Sequence, residues 1–182
     1  GGDFSEPVTQ ASLRVVGALW ALDPTLAQER QFPAVDWEGS YSLYADGTAA
    51  GFEALGGPDW SSLRRGVLTL LARERELGDI AGLVGREALD DGDRLLLEMA
   101  RMARELVIGQ NAFDPNDAAS PVDKTHALAS LLLGLHEAAR AALDGGRRLE
   151  DIALAEPRRA LAALRDAAAD DREGARTRAE AA

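Results

Sequence analysis

Residues 120–146 read SPVDKTHALASLLLGLHEAARAALDGG, and this stretch decides the fold class. Leu128, Leu131, Leu132, Leu135, Ala139 and Leu143 recur three and four residues apart, the spacing that places side chains on one face of a helix. Ser120 offers a hydroxyl cap, and Pro121 brings a backbone angle already suited to the first turn. Asp123 sets a negative charge at the positive end of the helix dipole. Gly145-Gly146 supplies the stop. A stripe of this length cannot stay in water, so it requires neighbouring helices.

The flanking sequence supplies them. Leu63, Val67, Leu70, Leu71, Leu77, Ile80, Ala81 and Val84 form a second stripe. Gly85 interrupts it, and Gly78 is a position for a kink or turn before it. Leu89, Leu96, Met99, Ala100, Ala103, Leu106 and Val107 form a third stripe, followed by a break over 109–119. A last short helix is predicted near Pro157, with Leu161 and Leu164 on one face. Amphipathic helices with short connections imply a bundle, so the expected fold is mainly α, with a C-terminal helical domain over 59–168. Residues 169–182 are Ala, Asp, Arg and Glu with no large apolar side chain, and a frayed or disordered tail is expected there.

Upstream, residues 1–58 hold most of the aromatics and prolines. The run Leu13 to Trp20 reads as a buried strand ended by Asp23-Pro24, with one or two helical turns over Thr25 to Arg30. Phe32 to Trp37 is expected to be extended, because the residue before a proline is pushed out of the helical region. The glycines between Ala45 and Pro58 predict a loop. The opening Gly1-Gly2-Asp3 leads to the expectation of a segment taken from a longer chain.

Composition removes several function classes. Twenty Lys+Arg against 31 Asp+Glu give a net charge of −11, which disfavours nucleic acid and anionic membrane surfaces as partners. With no cysteine and two histidines (His126 and His136, on one predicted helix about 15 Å apart), no metal site is expected. The longest apolar run, Ala127 to Leu135, falls far short of the ~20 residues of a membrane span. No phosphate loop, GxGxxG, GxSxG or HExxH is present, so no catalytic residue is assigned. Asp114-Pro115-Asn116-Asp117 reads as a surface turn. Glu87, Asp90, Asp91 and Asp93 read as a solvated helix start, with a contact surface for a basic partner as the competing role. Phe32 and Phe113 stand in irregular segments, where an aromatic either anchors a core or stacks on a planar ligand.

Two further stretches carry a resemblance. Gly1-Gly2-Asp3-Phe4-Ser5-Glu6-Pro7-Val8-Thr9-Gln10 and Gln31-Phe32-Pro33-Ala34-Val35-Asp36-Trp37, followed by Ser40-Tyr41-Ser42-Leu43-Tyr44, resemble the catalytic A subunit of A/V-type rotary ATPases and ATP synthases. The similarity continues through Leu83-Val84-Gly85, Ala88-Leu89 and Gln110-Asn111-Ala112-Phe113, in order, from residue 1 to about 145. The resemblance implies the C-terminal portion of that subunit: over 1–58 the strand-containing end of its α/β nucleotide-binding domain, then the helical domain. Phe32, Pro33, Gln110, Asn111 and Phe113 would form the adenine pocket for ATP or ADP. The phosphate loop and the Mg²⁺ site would lie upstream, so no cofactor is expected on this chain alone, nor ATP hydrolysis by it. Glu87, Asp90, Asp91 and Asp93 would meet the central stalk, joined to the pocket by a helix from Arg86 to Ile108 acting as a rod about 33 Å long. The central stalk and the B subunit would be partners in an ion-translocating complex, cytoplasmic and peripheral to the membrane, and the isolated piece would tend to self-associate. The alternative is a stand-alone acidic helical interaction module without catalysis.

Overall fold

The computed structural model describes residues 6–28, 30–85 and 88–182. The core lies among four long elements. Helix α4 (Trp60–Val84) contributes Val67, Leu70 and Leu71, and α5 (Asp91–Met102) contributes Leu95, Met99 and Met102. Helix α6 (Val122–Asp144) adds Leu128 and Leu132, and α7 (Ala155–Asp166) adds Leu161 and Leu164. Each set repeats at three- and four-residue spacing, so these parts of the predicted stripes are packed faces; the far end of the α4 stripe is not, with Ile80 48% exposed. Helix α6 touches α4, α5 and α7 and is the axis of the bundle. Gly145 and Gly146 end it, the latter at φ 89°, a left-handed conformation that favours glycine.

The start of α6 differs from expectation. Pro121 occupies the N-cap and no side chain caps the helix; the Ser120 hydroxyl instead accepts a hydrogen bond from Thr125 Oγ1 at 3.3 Å. Nor does α4 break at Gly78. One glycine inside a helix costs only about 1 kcal/mol against alanine, too little to interrupt a helix already anchored by Val67, Leu70 and Leu71. The expected rod from Arg86 to Ile108 is also shorter. Helix α5 begins at Asp91, and its continuation Ala103–Ile108 is a π-helix. Arg86 and Glu87 lie outside the described residues.

At the N-terminal end, α1 (Pro7–Leu13) precedes β1 (Ala18–Leu22), α2 (Pro24–Gln28) and β2 (Val35–Ser42). The strands pair antiparallel, Ala18 with Ser42 and Leu22 with Val35, with an irregularity between Leu19 and Ala21. Leu13 to Trp20 is therefore a helix end, a turn and the start of a strand. Nor is that strand buried: among the described residues it pairs with β2 alone, and Trp20 is 79% exposed. The 45–58 segment is not a loop either. It forms α3 (Ala45–Gly56), held on α4 and α6 by tertiary contact: Phe52 stacks on Trp60 with centroids 5.4 Å apart. A Cβ at Gly56 would lie 3.0 Å from the Trp60 ring and 3.1 Å from Val122, so the glycine permits the close approach.

The tail beyond residue 168 is helical as well. Helix α8 (Arg172–Glu180) packs on α6 and α7 and buries Ala175, correcting the expectation of a frayed end. Small residues let the helix sit close, Arg172 reaches Asp123 of α6 at 3.5 Å, and Arg178–Asp171 and Arg176–Glu180, each 2.8 Å, are exposed pairs within α8 and its N-cap. No helix among the described residues is long and apolar enough to cross a membrane.

Candidate functional site

The two irregular segments singled out by their aromatics meet. The Gln110 N–H donates to the Phe32 carbonyl at 2.6 Å, which fixes the segment before Pro33 against the start of the 109–118 loop. The Phe32–Pro33 bond is cis. The loop leaves the bundle through the π-helix, where the Gly109 N–H reaches back to the Arg104 carbonyl at 2.7 Å. A Cβ at Gly109 would stand 2.6 Å from that same oxygen, so the exit requires glycine.

Inside the loop, the Asn111 N–H donates to the Asp117 carboxylate at 2.6 Å, and the Asn111 side-chain oxygen accepts from the Phe113 N–H at 3.0 Å. Gln110 Nε2 donates to the Asp117 carbonyl at 3.2 Å. Asp117 is therefore not part of an ordinary surface turn: it is 1% exposed, paired with an equally buried Lys124. These bonds leave Phe113 98% exposed and Phe32 46% exposed, two rings displayed outward from a constrained backbone.

Phe32, Gln110 and Asn111 line one cavity of about 550 Å³, and Phe113 stands outside its lining. The opposite wall has no counterpart in the sequence-based expectations. It carries Arg101, Arg104, Glu105, Arg158 and Arg165, from α5, the π-helix and α7. Each arginine has an acidic partner: Arg104 with Glu74 at 2.7 Å, Arg101 with Glu105 at 2.9 Å, Arg158 with Glu105 at 2.5 Å and Arg165 with Asp166 at 2.7 Å. Burial alone would push the Glu105 carboxyl up, but the hydrogen bond from Arg101 and the charge of Arg158 outweigh it and hold the group below the usual carboxylate range. The hydrogen bond from Arg165 to Asp166 raises the Arg165 guanidinium further. The signal present in the sequence is Arg101-x-x-Arg104-Glu105, whose spacing puts the three on one helical face.

The acidic group at the start of α5 has structural work of its own. Asp90 is the N-cap and accepts from the Asp93 N–H at 2.8 Å. Asp91 accepts from the Leu149 N–H at 2.9 Å and pairs with Arg94 at 3.1 Å. Glu87 lies outside the described residues. Far along the bundle, His126 Nε2 stands 2.6 Å from Asp59 Oδ1, a hydrogen bond that holds the Asp59 carboxyl below its ordinary value. Among the described residues no group of three or more metal-ligating side chains comes together.

Comparison with known proteins points one way. A family described as the C-terminal domain of V and A type ATP synthase matches residues 50–152. The V-type ATP synthase alpha chain of Anaeromyxobacter dehalogenans (strain 2CP-C) is 49% identical over 152 residues, 84% of this chain and 26% of that protein. The A subunit of the A-type ATP synthase of Methanosarcina barkeri is 44% identical over 165 residues, 91% of this chain and 28% of the relative. The chain thus spans about a quarter of the length of these curated relatives. Among solved structures, one described as "a unique ATP synthase subunit NeqB from Nanoarcheaum equitans" superposes with a TM-score of 0.57 at 18% identity, covering 75% of this chain and 33% of the other. At that identity the likeness speaks for the fold.

Proposed function

We propose that this chain, which belongs to the family of the C-terminal domain of V and A type ATP synthases, forms the C-terminal portion of a catalytic A subunit. It would act in a rotary complex that couples ATP hydrolysis or synthesis to ion transport. Its part is the adenine end of the nucleotide site, built from Phe32, Pro33, Gln110, Asn111 and Phe113. The observation that carries this is the 2.6 Å bond from the Gln110 N–H to the Phe32 carbonyl, which brings two segments 78 residues apart in sequence to one cavity.

The residues present fit a purine. Two exposed rings, Phe32 on the cavity and Phe113 outside its lining, offer flat apolar faces, and Gln110 and Asn111 line the same cavity as Phe32. Stacking on an aromatic side chain is worth about 1–3 kcal/mol per base. The phosphates and Mg²⁺ would be held by upstream residues of the same polypeptide, which supply the hydrolytic chemistry; the part of this chain is binding and orientation. Asp90, Asp91, Asp93 and Glu87 are the proposed contact with the central stalk, and the B subunit would face the nucleotide from the other side. The assembly would be cytoplasmic and peripheral to the membrane.

The test is steady-state ATP hydrolysis by the complete A subunit in complex with its B subunit. Phe32→Ala and Phe113→Ala should each raise KM for ATP about five- to 150-fold, the range that 1–3 kcal/mol implies. Unchanged KM in both variants would refute the assignment of the pocket.

A further inference from the structure

A buried cation beneath the 109–118 loop has no role so far. Lys124, in the first turn of α6, is 1% exposed. A lysine that deep needs acceptors for all three of its hydrogens, and Lys124 has three. Its Nζ donates to the Asn116 carbonyl at 2.9 Å, the Arg165 carbonyl at 2.8 Å and Asp117 Oδ1 at 3.3 Å. The other Asp117 oxygen accepts from the Asn111 N–H and stands 3.7 Å from Arg165 Nε. Arg165 in turn donates from Nη1 to the Glu105 carbonyl at 3.0 Å, in the π-helix that launches the loop.

One ammonium group therefore ties three elements together. It grips the far end of the loop at Asn116, the carboxylate that holds the near end at Asn111, and the last turn of α7. The network is closed, with every Lys124 proton assigned, so it has one arrangement rather than several. From this geometry we propose that Lys124 is a positioning residue for nucleotide binding: through Asp117 it sets the backbone at Asn111, and so the direction in which Gln110, Asn111 and Phe113 face the base. The proposal rests on the adenine-pocket reading above. Lys124 itself, being buried, does not touch the nucleotide.

The experiment uses Lys124→Met in the complete A subunit in complex with the B subunit, beside Phe32→Ala and Phe113→Ala. Two quantities are read: KM and kcat for ATP, and amide hydrogen exchange across residues 109–119 without nucleotide. The expected result is exchange in that segment faster by at least tenfold, KM raised about five- to 20-fold, and kcat within a factor of two. Where Lys124→Met does not accumulate as folded protein, Lys124→Gln, which keeps a donor but no charge, is measured in the same way and should shift both quantities in the same direction. Should KM rise in the two phenylalanine variants while the lysine variant keeps wild-type KM and loop exchange, the proposal is overturned and the pocket stands. If the lysine variant loosens the loop and no variant changes KM, the pocket assignment fails, and the proposed role in nucleotide binding fails with it.

Discussion

At the scale of single residues, Asp117 and Lys124 are each 1% exposed and are held by one another, while the core leucines are held by packing alone. Leu128, Leu132, Leu161 and Leu164 announced their burial by spacing, because periodicity reports a face directly. Asp117 and Lys124 did not. In sequence they sit in a turn and a polar first helical turn, and only the fold brings the α7 carbonyl that lets a lysine be buried. His136, half-buried on α6, carries a pH dependence. Burial, with the nearby positive charge of Arg140, holds its imidazole below the ordinary value of about 6.5, the opposing charge of Glu137 notwithstanding. Between the depressed folded value and 6.5 the unfolded chain binds more protons, so stability rises with pH through that window. It is complete above about pH 6.5 and is lost as pH falls below it. Thermal unfolding from pH 5 to 7.5 should show this slope, and His136→Gln should flatten it; an identical slope in the variant would assign the dependence elsewhere.

Elements were legible where tertiary contact merely ratified local pattern. Helices α4 to α7 follow their stripes, whereas α3 carries Gly47 and Gly51 and is a helix because Phe52 and Gly56 meet Trp60 and α6. Propensity is a weak prior that packing overrides. The same holds for α8, whose alanines gave no apolar signal yet bury Ala175. Removing residues 169–182 takes away the helix that buries Ala175 and should cost on the order of 1 kcal/mol, the value of about one buried methyl or methylene group. A denaturation midpoint equal to the parent's would restore the frayed-tail view. At the head of α5, capping and partner recognition can be separated. Asp90→Asn keeps an N-cap acceptor and removes the charge, while Asp90→Ala removes both and should lower stability by about 0.5–2 kcal/mol. In the assembled complex, a contact that depends on charge should make Asp90→Asn impair coupling between hydrolysis and rotation with its melting temperature intact. Full coupling in that variant would assign Asp90 to capping alone.

Over the whole molecule, two regions contrast. The bundle closes its own core, whereas the N-terminal ribbon displays Val15, Trp20, Leu22, Leu43 and Tyr44. A two-stranded sheet is marginal alone, and paired strands with open edges invite further pairing. Sedimentation of the 182-residue chain should therefore show concentration-dependent association, reduced by Trp20→Ser with Leu22→Ser. Monomers at every concentration would mean the ribbon is self-sufficient. This contrast explains why the candidate site was half legible: Phe32 and Phe113 were visible as residue types, but the arginine wall opposite them comes from helices folded against a segment remote in sequence.

The wide turn at Ala103–Ile108 takes up one residue more than an α-helical path would. Deleting one residue from it would restore i→i−4 bonding and leave the chain beyond nearly in place, whereas deleting one from the α-helical part of α5 would swing everything downstream by about 100°. Gln110 would then point away from Phe32, and Asn111 would lose its carboxylate. The side chains of the wide turn are constrained as well, since Ala103 and Leu106 lie in the core and Glu105 joins Arg101 to Arg158.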